Sequence, residues 1–160
     1  MKRLAVITLF IALAVLLAGC GRKEDASIIG GADSPQSIEL SDKQNELDKV
    51  WNMWEEGKVA SPYAELMTYQ CEVNNGGHGQ FFLNVGNSDD LQGKMAALNT
   101  VLPEKLRSNL QDAYEAYLRL DENENDENSE QTLEHCDAVF YESQDEINNL
   151  LLEYAASIEK

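Results

Sequence analysis

An all-α domain is the fold class that this 160-residue sequence predicts, and three observations predict it. From Ser41 onward apolar residues recur at spacings of three and four, the period of an amphipathic helix. No strand-like alternation of apolar and polar residues runs beyond four positions. Proline, glycine and asparagine cut the helical pattern into about six to seven segments, giving one compact multi-helix domain over residues 39–160 behind a flexible N-terminal tether.

The chain opens on Lys2 and Arg3, followed by a stretch from Leu4 to Ala18 that carries no charge. A basic start before a short apolar run reads as a secretory signal, since a spanning helix needs about 20 apolar residues. Leu17-Ala18-Gly19-Cys20 resembles a bacterial lipobox, with small residues directly before the cysteine. That resemblance implies removal of residues 1–19 and acylation of the Cys20 sulfur, hence a lipoprotein held at the extracytoplasmic face of a cell membrane. The competing reading is an ordinary signal peptide with a chance cysteine.

Residues 20–38, with Gly30, Gly31, Ser34 and Pro35 and little periodicity, read as the tether. Within it, residues 27–38 resemble a short stretch of the membrane subunit of sodium-translocating decarboxylases. An aspartate in an ion path has meaning only inside a bundle of membrane spans, which the processed chain lacks. The tether reading stands.

Ser41 with Gln44 forms a candidate capping box, after which Leu47, Val50, Trp51 and Trp54 share a helix face before Gly57. Ser61-Pro62 marks the next start, a capping hydroxyl followed by a proline suited to the first turn. That helix runs through Leu66 and Tyr69 to Val73 and stops at Asn74-Asn75-Gly76-Gly77. A short apolar helix with Phe81, Phe82 and Val85 follows, ended by Gly86-Asn87. Ser88-Asp89-Asp90 caps a helix lined by Met95, Leu98 and Val101. Pro103 separates it from a helix reaching about Leu120, with Leu106, Leu110, Ala113, Tyr114 and Tyr117 in register. Asp121 to Glu130 holds no apolar residue and reads as a solvated loop. Leu133, Cys136, Val139 and Phe140 mark the next helix; Ile147, Leu150, Leu151, Tyr154 and Ile158 form the stripe of the last.

Charge narrows the function classes. The chain carries a net charge of −17, and loss of Lys2 and Arg3 with the signal leaves 10 − 29 = −19. Such a balance disfavours nucleic acid and anionic lipid headgroups, because bringing phosphates near it costs Coulomb energy. It suits a basic protein partner or a cation. The loop Asp121, Glu122, Glu124, Asp126, Glu127 and Glu130 is the candidate acidic binding surface. Counted as a calcium loop from Asp121, it has Asp126 where glycine is required and Thr132 where a bidentate glutamate is required. Only weak, ~millimolar calcium association is compatible with that pattern.

Cys71 and Cys136 each lie on an apolar helix face, and an exported chain meets oxidising surroundings. A Cys71–Cys136 disulfide and two free buried thiols both fit the sequence. With His78 and His135 as the only histidines, no metal-ligand spacing is present. No serine, cysteine or lysine sits in an activating motif, and no glycine-rich phosphate loop follows a strand, so no enzyme is expected.

The segment Glu72-Val73-Asn74-Asn75-Gly76-Gly77-His78-Gly79-Gln80-Phe81-Phe82-Leu83-Asn84 resembles the signature of the DNA-mimic protein C-terminal-domain family. That family has an acidic residue before Asn-Gly-Gly, then an aromatic, a glutamine and two further aromatics. The likeness extends over about residues 60–158, through the Phe140-Tyr141 pair to the terminal helix near Tyr154. It implies a helical, non-enzymatic binding protein.

Read as chemistry, Gly76 and Gly77 allow a sharp turn, and Phe81 and Phe82 anchor it in the core. Asn75 and Asn84 can bond freed backbone groups, and Gln80 can satisfy buried carbonyls. His78 stands where the family usually has an aromatic; a histidine there packs less apolar surface and can reach solvent. The functional alternative is a pocket built from Asn75, His78 and Gln80.

The sequence therefore predicts a lipid-anchored acidic helical module that binds a basic protein, joined to the membrane through the lipid on Cys20. The runner-up is an extracytoplasmic protein that binds ions or small ligands at the acidic loop or the Asn-Gly-Gly turn. Export disfavours DNA mimicry of the cytoplasmic kind, since an exported protein does not meet a cytoplasmic regulator.

Overall fold

The structure is a computed structural model that describes residues 35–86 and 90–158, with side chains from residue 41 onward. The expected signal segment 1–19, the expected lipidation site Cys20, residues 21–34 of the expected tether, and the expected caps Ser88 and Asp89 lie outside the described residues. Six helices make up the fold: α1 (Pro35–Glu55), α2 (Tyr63–Gly86), α3 (Leu91–Val101), α4 (Glu104–Glu122), α5 (Glu127–Glu142) and α6 (Gln144–Ile158). Among the described residues there is no strand, as the apolar spacing predicts. None of these helices is long and apolar enough to cross a membrane.

Three boundaries differ from the sequence reading. The first helix begins at Pro35, not near Ser41, so residues 35–38 are helical. A proline fits a helix's first turn because the N–H it lacks has no partner there. Ser41 and Gln44 are consequently helix interior, and the Gln44 amide donates to Asp48 one turn on (2.9 Å) instead of closing a capping box. The second difference is at Ser61-Pro62, a cis peptide that precedes α2. Helix bonding starts from Pro62, whose carbonyl accepts the Leu66 N–H (3.1 Å).

The third concerns the acidic loop, which shrinks to residues 123–126 because both flanking helices extend into it. Asp126 is the reason on the α5 side. Its carboxylate accepts the Asn128 N–H (3.3 Å) and the Ser129 hydroxyl (2.7 Å), capping the helix, while Glu127 and Glu130 complement the dipole in its first turn. The Ser129 hydrogen bond, with the two backbone N–H groups behind it, holds the Asp126 carboxyl below the usual range. A polar run can be helical when one face of it needs no burial; missing apolar residues do not make a loop.

The core follows the predicted stripes. Leu66, Tyr69, Val73, Phe81, Phe82, Leu98, Leu106, Leu110, Ala113, Phe140, Ile147 and Leu151 are all buried. Ile158, placed on the stripe of α6 by spacing, is instead exposed at the helix end. The link between α4 and α5 is short, which makes the pair an antiparallel hairpin. α2 packs against α3, α4 and α5, and α1 lies on α6. Tyr63 stacks on Tyr154 (centroids 4.3 Å apart), and the Tyr154 hydroxyl accepts the Ala60 N–H (3.4 Å), tying the start of α2 to α6.

Candidate functional site

The Asn-Gly-Gly turn is built into α2 as a bend. Gly77 has φ 75° and ψ −179°, a backbone region open essentially to glycine alone. The helical path of residues 63–75 breaks there and resumes at His78 in a new direction. Glu72 shows how sharp the bend is. One of its carboxylate oxygens accepts from the Gln80 amide (3.2 Å) and from the Asn84 amide (2.7 Å), twelve residues away in sequence. In a straight helix that separation is about 18 Å, beyond side-chain reach. Phe81 and Phe82 then enter the core, Phe81 edge-on to Tyr69 (5.0 Å) and Phe82 against Tyr117 (5.2 Å).

Inside the bend lies a hydrogen-bonded chain. His78 Nδ1 meets Asp137 Oδ1 at 2.6 Å, His78 Nε2 meets the Tyr69 hydroxyl at 2.7 Å, and the His78 backbone N–H donates to Asp137 Oδ1 at 2.8 Å. Asp137 comes from α5, 59 positions along the chain, and serves as a cap for the helix that restarts at His78. Assigned from this network, the imidazole donates from Nδ1 to the carboxylate and accepts at Nε2 from tyrosine. Burial pushes the Tyr69 hydroxyl well above the usual phenol range, and the charges of Cys136 and Asp137 add to this, against a hydrogen bond from Asn109. Asn109 also donates to the Cys136 carbonyl (3.0 Å), extending the network to α4.

This arrangement corrects several expectations. His78 does not reach solvent; it is 0 % exposed, because both ring nitrogens find partners within the core. Asn75, His78 and Gln80 do not converge on a pocket. Asn75 is exposed and donates to Cys71 Sγ (3.7 Å), His78 points inward, and Gln80 turns to Glu72. Asn84 bonds that same carboxylate and not a freed backbone group. Cys136 is a free thiol, 2 % exposed, so the Cys71–Cys136 disulfide is not formed. Burial, then the charges of Asp112 and Asp137, push the Cys136 thiol up to about 11.

The sequence reading overlooked Tyr69 and Asp137 as members of the network. Tyr69 looked like any core aromatic, and no local pattern joins Asp137 to a bend 59 residues earlier. The one available hint was a histidine in an aromatic's place, since a polar ring in a core needs a polar partner. The tyrosine–histidine–aspartate chain is enclosed at the imidazole and ties the bend in α2 to α5.

The six acidic candidates do gather at one end of the fold, around the α4–α5 link. Asp121, Glu122, Glu124, Glu127 and Glu130 are exposed, while Asp126 is half-buried by its capping role. Among the described residues no group of three or more His, Cys, Asp or Glu side chains is placed to hold a metal ion.

No curated protein matches this chain, and no solved structure does. One family model matches, that of the DMP19-like protein, over residues 62–158, the span from the start of α2 to the end of α6. That span holds the bend, its network and the acidic hairpin together, and the chain belongs to the DMP19-like protein family.

Proposed function

We propose that this chain is a lipid-anchored, extracytoplasmic interaction module whose acidic face engages a basic protein partner and catalyses no reaction. One observation carries the reading. Between Leu120 and Ile158 there are twelve acidic residues and no lysine or arginine, and ten of the twelve are exposed. The other two are occupied, Asp126 as a cap and Asp137 at the bend. On α5, Glu127, Glu130 and Glu134 form one stripe at helical spacing, so the field of the face is fixed by rigid elements. Family membership supports the same kind of protein. The resemblance of Leu17-Ala18-Gly19-Cys20 to a lipobox supports the extracytoplasmic location.

The test uses the full chain in host envelope membranes, beside a variant with Glu127→Gln, Glu130→Gln, Glu134→Gln and Glu142→Gln. Crosslinking followed by capture at low and high salt should yield a basic protein with the wild type alone, released as screening shortens the Debye length. Equal recovery by the neutralised variant refutes the acidic-face reading. Cys20→Ser should move the protein from the membrane to the soluble fraction; retention at the membrane refutes the lipid anchor.

A further inference from the structure

The cations of the acidic half of the fold are not scattered. Residues 104–158 contain fifteen acidic residues and three basic ones, Lys105, Arg107 and Arg119. A groove of about 290 Å³ runs between α4 and α5, and Lys105 and Arg119 both line it, together with His135. Asp112 is its one acidic wall residue. Ser108 and Thr132 add hydroxyls, Val139 an apolar contact, and buried Asn109 and Cys136 form the floor. The lining thus carries two cations against one carboxylate in a molecule of net −17.

The lining is also under-used by the protein itself. Lys105 donates to Ser143 Oγ (3.4 Å) and has no carboxylate partner among the described residues. Arg119 reaches Glu115 only at 3.9 Å, in a pair exposed to solvent, where such contacts contribute little. The side chains of Asp112 and His135 make no hydrogen bond or ion pair among the described residues.

We propose that the α4–α5 groove binds a small anion bearing a carboxylate or phosphate group. Lys105 and Arg119, on long stems at the two ends of the groove, supply the charge. His135 and the hydroxyls of Ser108 and Thr132 supply hydrogen bonds along it, and Asp112 accepts from a hydroxyl or ammonium group of the ligand. Arginine's planar fork matches either anion in two parallel bonds. The volume sits at the lower end of small-ligand pockets, which sets the size of the ligand. The site is distinct from the acidic face, and its test does not depend on any protein partner.

The chain has two histidines, His135 in the groove and His78 enclosed in the core, so one spectrum holds both reporter and control. The full chain in detergent is titrated with succinate and, separately, with inorganic phosphate, at fixed pH and ionic strength. The ring signals are followed by NMR. Binding gives a saturable shift of His135 while His78 stays still, and the probe that saturates identifies the anion as carboxylate or phosphate. Arg119→Gln and Lys105→Ala each weaken the apparent affinity for succinate, whose two carboxylates face the two ends, by about tenfold or more, whereas phosphate, too small to span them, loses that much in one of the two variants. Arg107→Gln, outside the groove, leaves it unchanged. A non-saturating His135 shift with both probes overturns the proposal, as does an equal loss in Arg107→Gln.

Discussion

Replacing Gly77 by alanine tests the bend at its most constrained atom. The backbone at φ 75° and ψ −179° is a region that side-chain-bearing residues occupy at a cost of about 1–3 kcal/mol. A Cβ there would also overlap Asp137 Oδ2, so the carboxylate must move. Moving it stretches the bonds that Asp137 Oδ1 accepts from the His78 N–H (2.8 Å) and Nδ1 (2.6 Å). Hydrogen bonds to a charged group contribute about 1.5–3 kcal/mol each, and losing one while straining the other adds roughly 2 kcal/mol. Gly77→Ala should therefore destabilise the fold by about 3–5 kcal/mol, a large part of an ordinary domain's stability. Urea unfolding followed by the fluorescence of Trp51 and Trp54 reads this as a lower midpoint at unchanged slope. In an Asp137→Ala background the clash has no partner, so only the backbone part, about 1–3 kcal/mol, should remain. A single-variant loss below about 1 kcal/mol, or an equal loss in both backgrounds, would refute the account of the bend.

Three further outcomes follow from the same contacts. His78→Phe keeps an aromatic ring in the core but removes the acceptor that the Tyr69 hydroxyl uses there. It should cost about 1–3 kcal/mol in urea unfolding, and adding Tyr69→Phe should recover part of that. At alkaline pH, Cys136 and Tyr69 hold their protons in the fold above their unfolded values of 9.0 and 10.0. Their contribution is complete below pH 9 and is lost for Cys136 as pH rises through about 11, so unfolding midpoints should fall in that window. Cys136→Ala should remove the first part of the fall; a flat wild-type profile refutes the assignment. For Asp126, whose carboxyl is held low, the cap's contribution is present above its unfolded value of 3.8 and lost as pH falls below it. Asp126→Ala should speed amide hydrogen exchange over residues 127–132 at neutral pH, and unchanged rates there would dismiss the cap.

How much of this was written in the sequence depends on how local each signal is. Helix periodicity is local, so the stripes Leu106-Leu110-Ala113 and Ile147-Leu151-Tyr154 are readable from spacing and end up buried. The motif around Asn75-Gly76-Gly77 announces a turn, and Phe81 and Phe82 announce its anchor, again from neighbours in the chain. Glu72 stood in the motif, but its purpose needs the bend to exist before Gln80 and Asn84 can meet it. Asp137 was one of twenty-nine acidic residues, and composition cannot say which acid turns inward. Composition alone does not separate a polar helix end from a loop. Asp121 and Glu122 extend α4, while Glu127 and Glu130 begin α5, because each can lie on an outer face.

Salt separates the two uses to which this chain puts its acids. Exposed carboxylates such as Glu127, Glu130 and Glu134 share one stripe of α5 with no lysine or arginine on that helix, so they repel one another in the folded state. Raising ionic strength from 0.1 M to 1 M shortens the screening length from about 10 Å to about 3 Å, which relieves that repulsion. Stability should therefore rise with added sodium chloride. The network of Asp137 with His78 lies in contact, at 2.6 Å, and is screened far less. Binding of a basic partner to the same acidic face has the opposite sign, since screening weakens the attraction. A single salt series with two readouts, urea midpoint and partner affinity, should diverge: the first climbing, the second falling. If stability falls with salt, exposed acid pairs must be contributing net attraction, and the face would be a set of intramolecular ion pairs and not a field presented outward.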